Sequence, residues 1–454
     1  MAKANGHAST RTVRRHPRDP GPAAWDELLG PRVGTRRLEE RRTADWVVIG
    51  AGFAGLAAAR RLKQLRDGDR IVVLEASRVG QGPAGRNTGF MIDVPHDLAS
   101  EDYGGQVQRD RKQTEMNRQA IAFAAEAARA YGMPEEALEL SGKINAAATD
   151  KGLQHNADFA RHLDRLGESY THLDAEEMRR RTGSDYFLGG LYTPGAAMLH
   201  PAMFVRGLAD GLARSRVDLY ENSPVTEMSG VDGDWRITTP QGAVTAPKVV
   251  LAVNGHAQSF GYYPRQLMHV FTYASMTRAL TPDEVRKLGG WPRWGATPAD
   301  PMGTTVRRIS GVGGDRIVVR NRFTYDPSME VSEARLQRVA RDHDASFRAR
   351  FPMLGEVEMA YRWGGRLCLS WNGVPAFGEL EPGVFSACCQ NGLGTAKGTL
   401  AGIAAAELAT RSNAPLAPEL LASDAPRTLP PEPLAWLGAN ATMRWREFKA
   451  GREK

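Results

Sequence analysis

The sequence predicts an α/β protein in which a parallel-sheet domain is interleaved with a second domain built on an antiparallel sheet. Three observations predict it. Asp45-Trp46-Val47-Val48-Ile49 is an apolar run followed at once by glycines and a helical stretch. Equally apolar runs return far along the chain at Lys248–Val253 and Val384–Cys388. Between these two lie segments with the alternation of half-buried strands.

In chain order, the run at residues 45–49 is bounded by charge on one side and glycine on the other, as a buried parallel strand is. Ala54 to Gln64 is Ala/Leu-rich with basic residues on one face, and Asp67-Gly68-Asp69 turns the chain into a second strand, Arg70 to Glu75. That completes one βαβ unit. Gln106 to Tyr131 reads as a long amphipathic helix. Lys151–Leu166 follows, then Ala175–Arg181 behind an Asp174 cap. Pro201 suits a first helical turn before Ala202–Ser215 and the strand Val217–Tyr220. Val225–Met228, Trp235–Thr239 and Val244–Ala246 alternate, and Lys248–Val253 rejoins the parallel sheet. Met268–Thr277, Thr304–Ile309 and Arg316–Arg322 suggest the antiparallel sheet, interrupted by a helix at Pro282–Leu288. Val384–Cys388, a glycine turn and a helix over Thr395–Thr410 close the fold, ahead of a proline-rich tail.

The formal charge of +7 would suggest a polyanion partner, but much of it lies in the first 42 residues, in Arg11, Arg14, Arg15, Arg18, Arg32, Arg36, Arg37, Arg41 and Arg42. With four prolines there, the segment reads as an arm, partly disordered or draped over the body, and no nucleic-acid role is expected. No apolar run is long enough to span a bilayer. Three cysteines, two of them adjacent, fit a reducing cytoplasm, and no Cys/His spacing suggests a metal.

Gly50-Ala51-Gly52-Phe53-Ala54-Gly55 sits between strand and helix, where backbone N–H groups and the helix dipole receive a pyrophosphate. Glu75 ends the next strand twenty residues after Gly55. An acid there accepts hydrogen bonds from ribose hydroxyls and repels a 2′-phosphate, which argues against NADP. The loop does not separate NAD from FAD. The glycine-rich walk from Ala76 and Ser77 through Gly80, Gly82 and Gly85 to Arg86-Asn87-Thr88-Gly89-Phe90 does, because it suits a chain tracking an extended cofactor.

That walk resembles the D-amino-acid-oxidase-like (DAO) family of FAD-dependent amine and amino-acid oxidoreductases, most of all its γ-glutamylputrescine oxidoreductase-like branch. Three further stretches agree in order: Gly189-Gly190 to Pro201, Val225 to Gly255, and Trp363-Gly364-Gly365 through Gly373–Gly378 into Gly392–Thr395. The resemblance implies a Rossmann-type FAD-binding domain with an interleaved antiparallel-sheet substrate domain. On that reading residues 1–42 are the basic arm, and 43–105, 189–260 and 363–411 are the three parts of the FAD domain. Residues 106–188 are a helical and substrate-domain insertion, 261–362 the substrate sheet and 412–454 the tail.

Carried over by position, the resemblance implies that Gly50, Gly52, Phe53, Ala54 and Gly55 hold the pyrophosphate of a non-covalent FAD. Glu75, Ala76 and Ser77 attend the adenosine ribose, and Val225 the adenine. Arg86 and Asn87 follow the ribityl chain. Thr88, Gly89, Phe90 and Asn254 approach the ring, and Gly392, Leu393, Gly394 and Thr395 offer amides to its pyrimidine end. Leu393 stands where the family often has histidine. Cys368 lies near the region where some relatives tether FAD, but a small buried core residue explains it as well. The strands over the flavin contain no lysine, which leaves O2 and another electron acceptor both open, with Lys397 the cation to test.

The substrate side is expected to draw on Tyr262, Tyr263, His269, Phe271, Tyr273, Arg320, Arg322, Trp363, Arg366 and Trp371. Of these His269, Tyr273, Arg366 and Trp371 are the candidate catalytic residues. Aromatics suit a cationic amine and an arginine suits a carboxylate. His200, His256 and His269 are more often structural. The expected activity is oxidation of the C–N bond of a small-molecule secondary amine or amino acid by hydride transfer to flavin N5, giving an imine that hydrolyses. The alternatives are a 2-hydroxy-acid oxidoreductase, for which His269 would serve as base, and a non-catalytic flavin-binding subunit of a larger complex.

Overall fold

The computed structural model describes residues 10–95, 107–231, 234–412 and 416–454. The expected helix start at Gln106, the first nine residues of the arm and the end of the segment 43–105 lie outside the described residues.

A six-stranded sheet carries the nucleotide-type half. Its centre is Trp46–Ile49, flanked in parallel by Ile71–Leu74 on one side and Lys248–Leu251 on the other. Asp218–Tyr220 and Val384–Cys388 extend it in parallel, and Ala376–Glu381 closes one edge antiparallel. All four residues of the central strand are buried, because helices cover one face of the sheet, through Trp46 and Val48, and the five-stranded sheet around Ile237 and Val244 covers the other, through Val47 and Ile49. The helix Phe53–Leu65 packs closely on Ala396–Thr410 through small residues. A methyl added at Gly402 would stand 2.0 Å from the Ala54 carbonyl oxygen.

The second half is an eight-stranded sheet. Leu267–Thr277 lies second from one edge, pairing antiparallel with Arg316–Tyr325 on one side and with the edge strand Met359–Ser370 on the other. Thr305–Ile309, Trp294–Pro298, Lys143–Ala147, Gly189–Thr193 and Thr171–Leu173 complete it. The expected helices form at Val107–Ala130, Asp150–Leu166, Ala175–Thr182, Pro201–Arg214 and Pro282–Leu288. Asp174 caps its helix by accepting from the Glu177 amide at 2.8 Å.

Several expected boundaries move. Trp363-Gly364-Gly365 pairs with Ala274, Tyr273 and Thr272, so the antiparallel sheet runs on to Ser370 and the third nucleotide segment begins near Ala376, not at residue 363. Gly189–Thr193 likewise pairs with Lys143–Ala147 in the large sheet. The tail after residue 412 is not a loose end: it carries helices at Leu416–Leu421 and Leu434–Ala450. Helix Glu333–Arg350 covers the outer face of the large sheet through Leu336 and Val339 against Phe271 and Tyr273.

The arm is draped and built in. Thr10–Thr12 adds an edge strand to a five-stranded sheet, and Arg41–Thr43 adds the other edge. Its charges find partners on the body: Arg11 with Glu381 at 2.6 Å, Arg32 with Glu221 at 2.7 Å and Arg36 with Asp218 at 3.0 Å. Trp25 is fully buried. Part of the formal charge of the segment is therefore met by acids of the body.

Candidate functional site

One long cavity runs from the carboxyl ends of the parallel strands to the face of the eight-stranded sheet. At the strand end the backbone builds the wall. Gly50 has φ +100°, and a methyl there would lie 2.7 Å from the Ala252 carbonyl oxygen. A methyl on Gly55 would lie 1.7 Å from the Gly50 carbonyl oxygen, so Gly55 serves the packing of helix on strand and does not itself line the cavity. Gly52 caps the helix Phe53–Leu65 without a side chain, which leaves the first-turn amides facing the cavity. Glu75 stands beside them and accepts from the amides of Ala51 at 2.8 Å and Ser77 at 3.1 Å. Burial raises its pKa, opposed by those two amides.

A second helix start meets the same cavity. Gly392, Leu393, Gly394 and Thr395 line it just ahead of the helix Ala396–Thr410, again with no side-chain cap. The Thr395 hydroxyl instead donates to the Phe90 carbonyl at 2.6 Å and ties the two loops together. Two uncapped helix starts, glycines that tolerate no methyl, and an acid at the far end suit a dinucleotide with a long second half. The residues present therefore fit FAD.

Of the other expected cofactor contacts, Phe53, Ala54, Ala76, Ser77, Arg86, Asn87, Thr88, Phe90, Val225 and Asn254 line the cavity. Gly89 does not. At φ +81° it lets Arg307 and the Leu199 carbonyl pack where a side chain would be. The Arg86 guanidinium is spent on carbonyls of Gln81, Pro20, Gly364 and Gly21 at 2.6–3.2 Å, so it clamps the arm to the glycine walk. Asn87 shapes a turn between Ala84 and Gly89.

The four expected catalytic residues are not brought together. Trp371 stands 61% exposed on the turn between Ser370 and Ala376, outside the cavity. His269 is buried outside the lining, with its Nε2 2.6 Å from the Gln258 side-chain oxygen. Burial, and Arg366 beside it, push its pKa down to about 3. Tyr273 borders the cavity, but its hydroxyl shares a 2.7 Å hydrogen bond with Thr324. Arg366 borders it too, held by Asp19 of the arm at 3.3 Å and by the Met329 carbonyl. Arg322 is a bulge residue at φ +66°, and its charge goes to Asp342 and Glu447. Tyr262, Tyr263 and Phe271 also lie outside the lining, as does Lys397. Trp363 remains, its indole donating to the Arg86 carbonyl at 2.9 Å.

What faces the cavity from the sheet is a polar group that the sequence only half disclosed. Arg320 and Thr305 lie directly opposite each other on neighbouring strands, and Thr272 comes from the next strand over. The hydroxyls of Thr272 and Thr305 are buried without a partner among the described residues. The Arg320 guanidinium has no hydrogen bond or ion pair there either, only the Phe323 ring at 5.2 Å, and burial draws its pKa down to about 10. Arg15, His16 and Pro17 of the arm complete the wall. Strand alternation pointed to Arg320. The arm's share came only with the fold.

This arrangement defines the class: a dinucleotide-binding protein with a cofactor-length cavity closed by a second, antiparallel domain. The chain belongs to the FAD dependent oxidoreductase (DAO) family, whose pattern it matches over residues 45–408. It is 27% identical to the probable oxidoreductase OrdL of Haemophilus influenzae over 82% of this chain and 84% of that one. It is 27% identical to the γ-glutamylputrescine oxidoreductase of Escherichia coli, with the same coverage of 82% and 84%. Among solved structures, glycine oxidase from Geobacillus kaustophilus superposes with a TM-score of 0.65 at 21% identity, over 83% of this chain and 98% of that one. The amino acid oxidase NikD superposes with 0.64 at 18%, over 86% and 99%. These likenesses show the same fold. The protein is an FAD-dependent oxidoreductase of the amine and amino-acid class, and among the described residues no helix is long and apolar enough to cross a membrane.

Proposed function

We propose that this enzyme oxidises the C–N bond of a secondary amine or amino acid that also carries a carboxylate. The observation that carries the reading is the unpaired Arg320, flanked by the unpartnered hydroxyls of Thr305 and Thr272 on the sheet face of the cavity. A half-buried guanidinium that opens on the cavity without an acid is well matched to a bound carboxylate. The relatives' names, γ-glutamylputrescine oxidoreductase and glycine oxidase, support an amine at the same place.

In this reading Gly50, Gly52, Phe53 and Ala54 hold the pyrophosphate, Glu75 the ribose and Gly392 to Thr395 the pyrimidine end of FAD. Bound there, FAD supplies the acceptor for the hydride lost by the carbon next to nitrogen. Arg320 and the threonines fix the carboxylate, which turns that carbon towards the ring. The sheet and the arm exclude water. The substrate nitrogen enters neutral, its lone pair forms the imine as the C–H bond breaks, and water then cleaves the imine to a carbonyl compound and an amine. No protein base is needed, and His269, outside the cavity lining and with its pKa pushed down to about 3, is not placed to act as the base of a hydroxy-acid oxidation. FAD is held without a covalent bond: Cys368 borders the cavity, but burial raises its thiol well above the usual range, away from the reactive thiolate. The three cysteines are free and buried, in keeping with a cytoplasmic enzyme that uses O2 or another acceptor.

Anaerobic mixing with N-alkyl amino acids, D-amino acids, polyamine derivatives and 2-hydroxy acids tests the reading. Carboxylate-bearing amines bleach the flavin. Bleaching by hydroxy acids alone would overturn it.

A further inference from the structure

The helix Leu434–Ala450 is turned the wrong way round for an ordinary surface helix. Its inward face is polar. Asn440 bonds the backbone of Tyr325 in both directions at 3.0 and 3.1 Å, and buried Glu447 accepts from the Phe323 amide at 3.1 Å and pairs with Arg322. Its outward face is apolar. Leu434, Leu437, Ala441, Trp445 and Phe448 recur at spacings of three and four, which places them on one stripe, and all five are exposed, Phe448 at 78%. The Trp445 and Phe448 rings stack at 6.1 Å. Arg444, Arg446 and Lys449 flank the stripe; Arg444 shares Glu447, whereas Arg446 and Lys449 have no acidic partner among the described residues.

We infer that this helix is a docking face for an anionic lipid bilayer, lying in the headgroup layer with its stripe immersed and its basic flank on the phosphates. Charge selects this occupant. A second copy packed in parallel would set Arg446 and Lys449 against their own kind, and one packed antiparallel would set them against the apolar Leu434 end, whereas anionic lipid complements them. Extent agrees: five apolar side chains along about 25 Å of helix fall well short of the roughly twenty to thirty residues a side of a standard stable interface. Trp and Phe suit the boundary between acyl chain and headgroup. The attachment is peripheral, since no described helix can span the membrane.

The test is co-sedimentation of the FAD-loaded full chain with vesicles of phosphatidylcholine, with and without phosphatidylglycerol, beside light scattering of the protein alone. The protein binds the phosphatidylglycerol vesicles and scatters as a species whose mass the stripe does not control. Trp445→Asp with Phe448→Asp abolishes binding and leaves the flavin spectrum and far-ultraviolet circular dichroism unchanged. Arg446→Gln with Lys449→Gln weakens partitioning into the anionic vesicles by about 30-fold and leaves the neutral ones unaffected. A wild-type protein that stays in the supernatant overturns the inference, as does an oligomer that the Asp pair dissociates.

Discussion

The two ends of the cavity are built by different means. At the strand end the wall is main chain: glycine amides, two helix starts and one acid, each supplied by a short local stretch, around residues 50–54, 75–77 and 392–395. At the sheet end it is side chains from strands around residues 272, 305 and 320, joined by an arm about 300 residues from some of them. The first end is rigid and dictated by sterics. The second depends on pairings between strands and an arm that are far apart in the chain.

The sharpest way to break the strand end is at Gly50. Gly50→Ala places a methyl against the Ala252 carbonyl oxygen in a backbone conformation that disfavours it, so FAD content should fall to near zero, read from the flavin absorbance of the purified protein. The join between the ends comes next. Asp19→Asn leaves Arg366 buried and unpaired, at a cost of about 3–5 kcal/mol, and should lower the thermal midpoint measured by circular dichroism and loosen the arm to proteolysis. At the sheet end, Arg320→Met should cut kcat/KM about 10- to 150-fold, as expected for loss of a charge-assisted hydrogen bond, while FAD content stays intact.

Acid should act on the fold through buried histidines. His200, His269 and His343 are each pushed down to about 3, chiefly by burial, while the unfolded chain titrates near 6.5. Below that value the unfolded state binds more protons, so stability is full above about pH 6.5 and falls as pH drops towards the folded values. Each histidine contributes up to about 1.4 kcal/mol per pH unit. A denaturation midpoint that held constant from pH 7 to pH 5 would contradict this. The smallest effect belongs to Trp371→Ala, which should change stability by less than about 0.5 kcal/mol and leave turnover unaltered, because the ring is solvent-exposed outside the cavity.

Legibility in the sequence follows the same division. Gly50, Gly52, Glu75 and the turn at Gly392 could be read because each meets a local backbone demand at fixed spacing. His269 was misplaced because alternation along a strand tells which residues share a face, not which face meets the cofactor, and Trp371 because the strand stops at Ser370 and leaves the ring on the turn beyond it. Arg322 was lost to a bulge that no pattern announces. The sequence left the arm around Pro17 and Asp19 as either partly disordered or draped over the body, since a partner 347 positions away, as Arg366 is from Asp19, leaves no periodic trace. The helix Leu434–Ala450 lay hidden in a proline-rich tail for a different reason: its apolar stripe faces outwards, so reading it as a core face would have misplaced it.

The central claim is that Arg320 recognises a carboxylate on an amine substrate. Its most direct test is the anaerobic rate of flavin reduction by a carboxylate-bearing amine and by its decarboxylated analogue, in the wild type and in Arg320→Met. The account predicts that the substitution slows the first at least 10-fold and leaves the second nearly unchanged. Equal slowing of both substrates, or of neither, would contradict it.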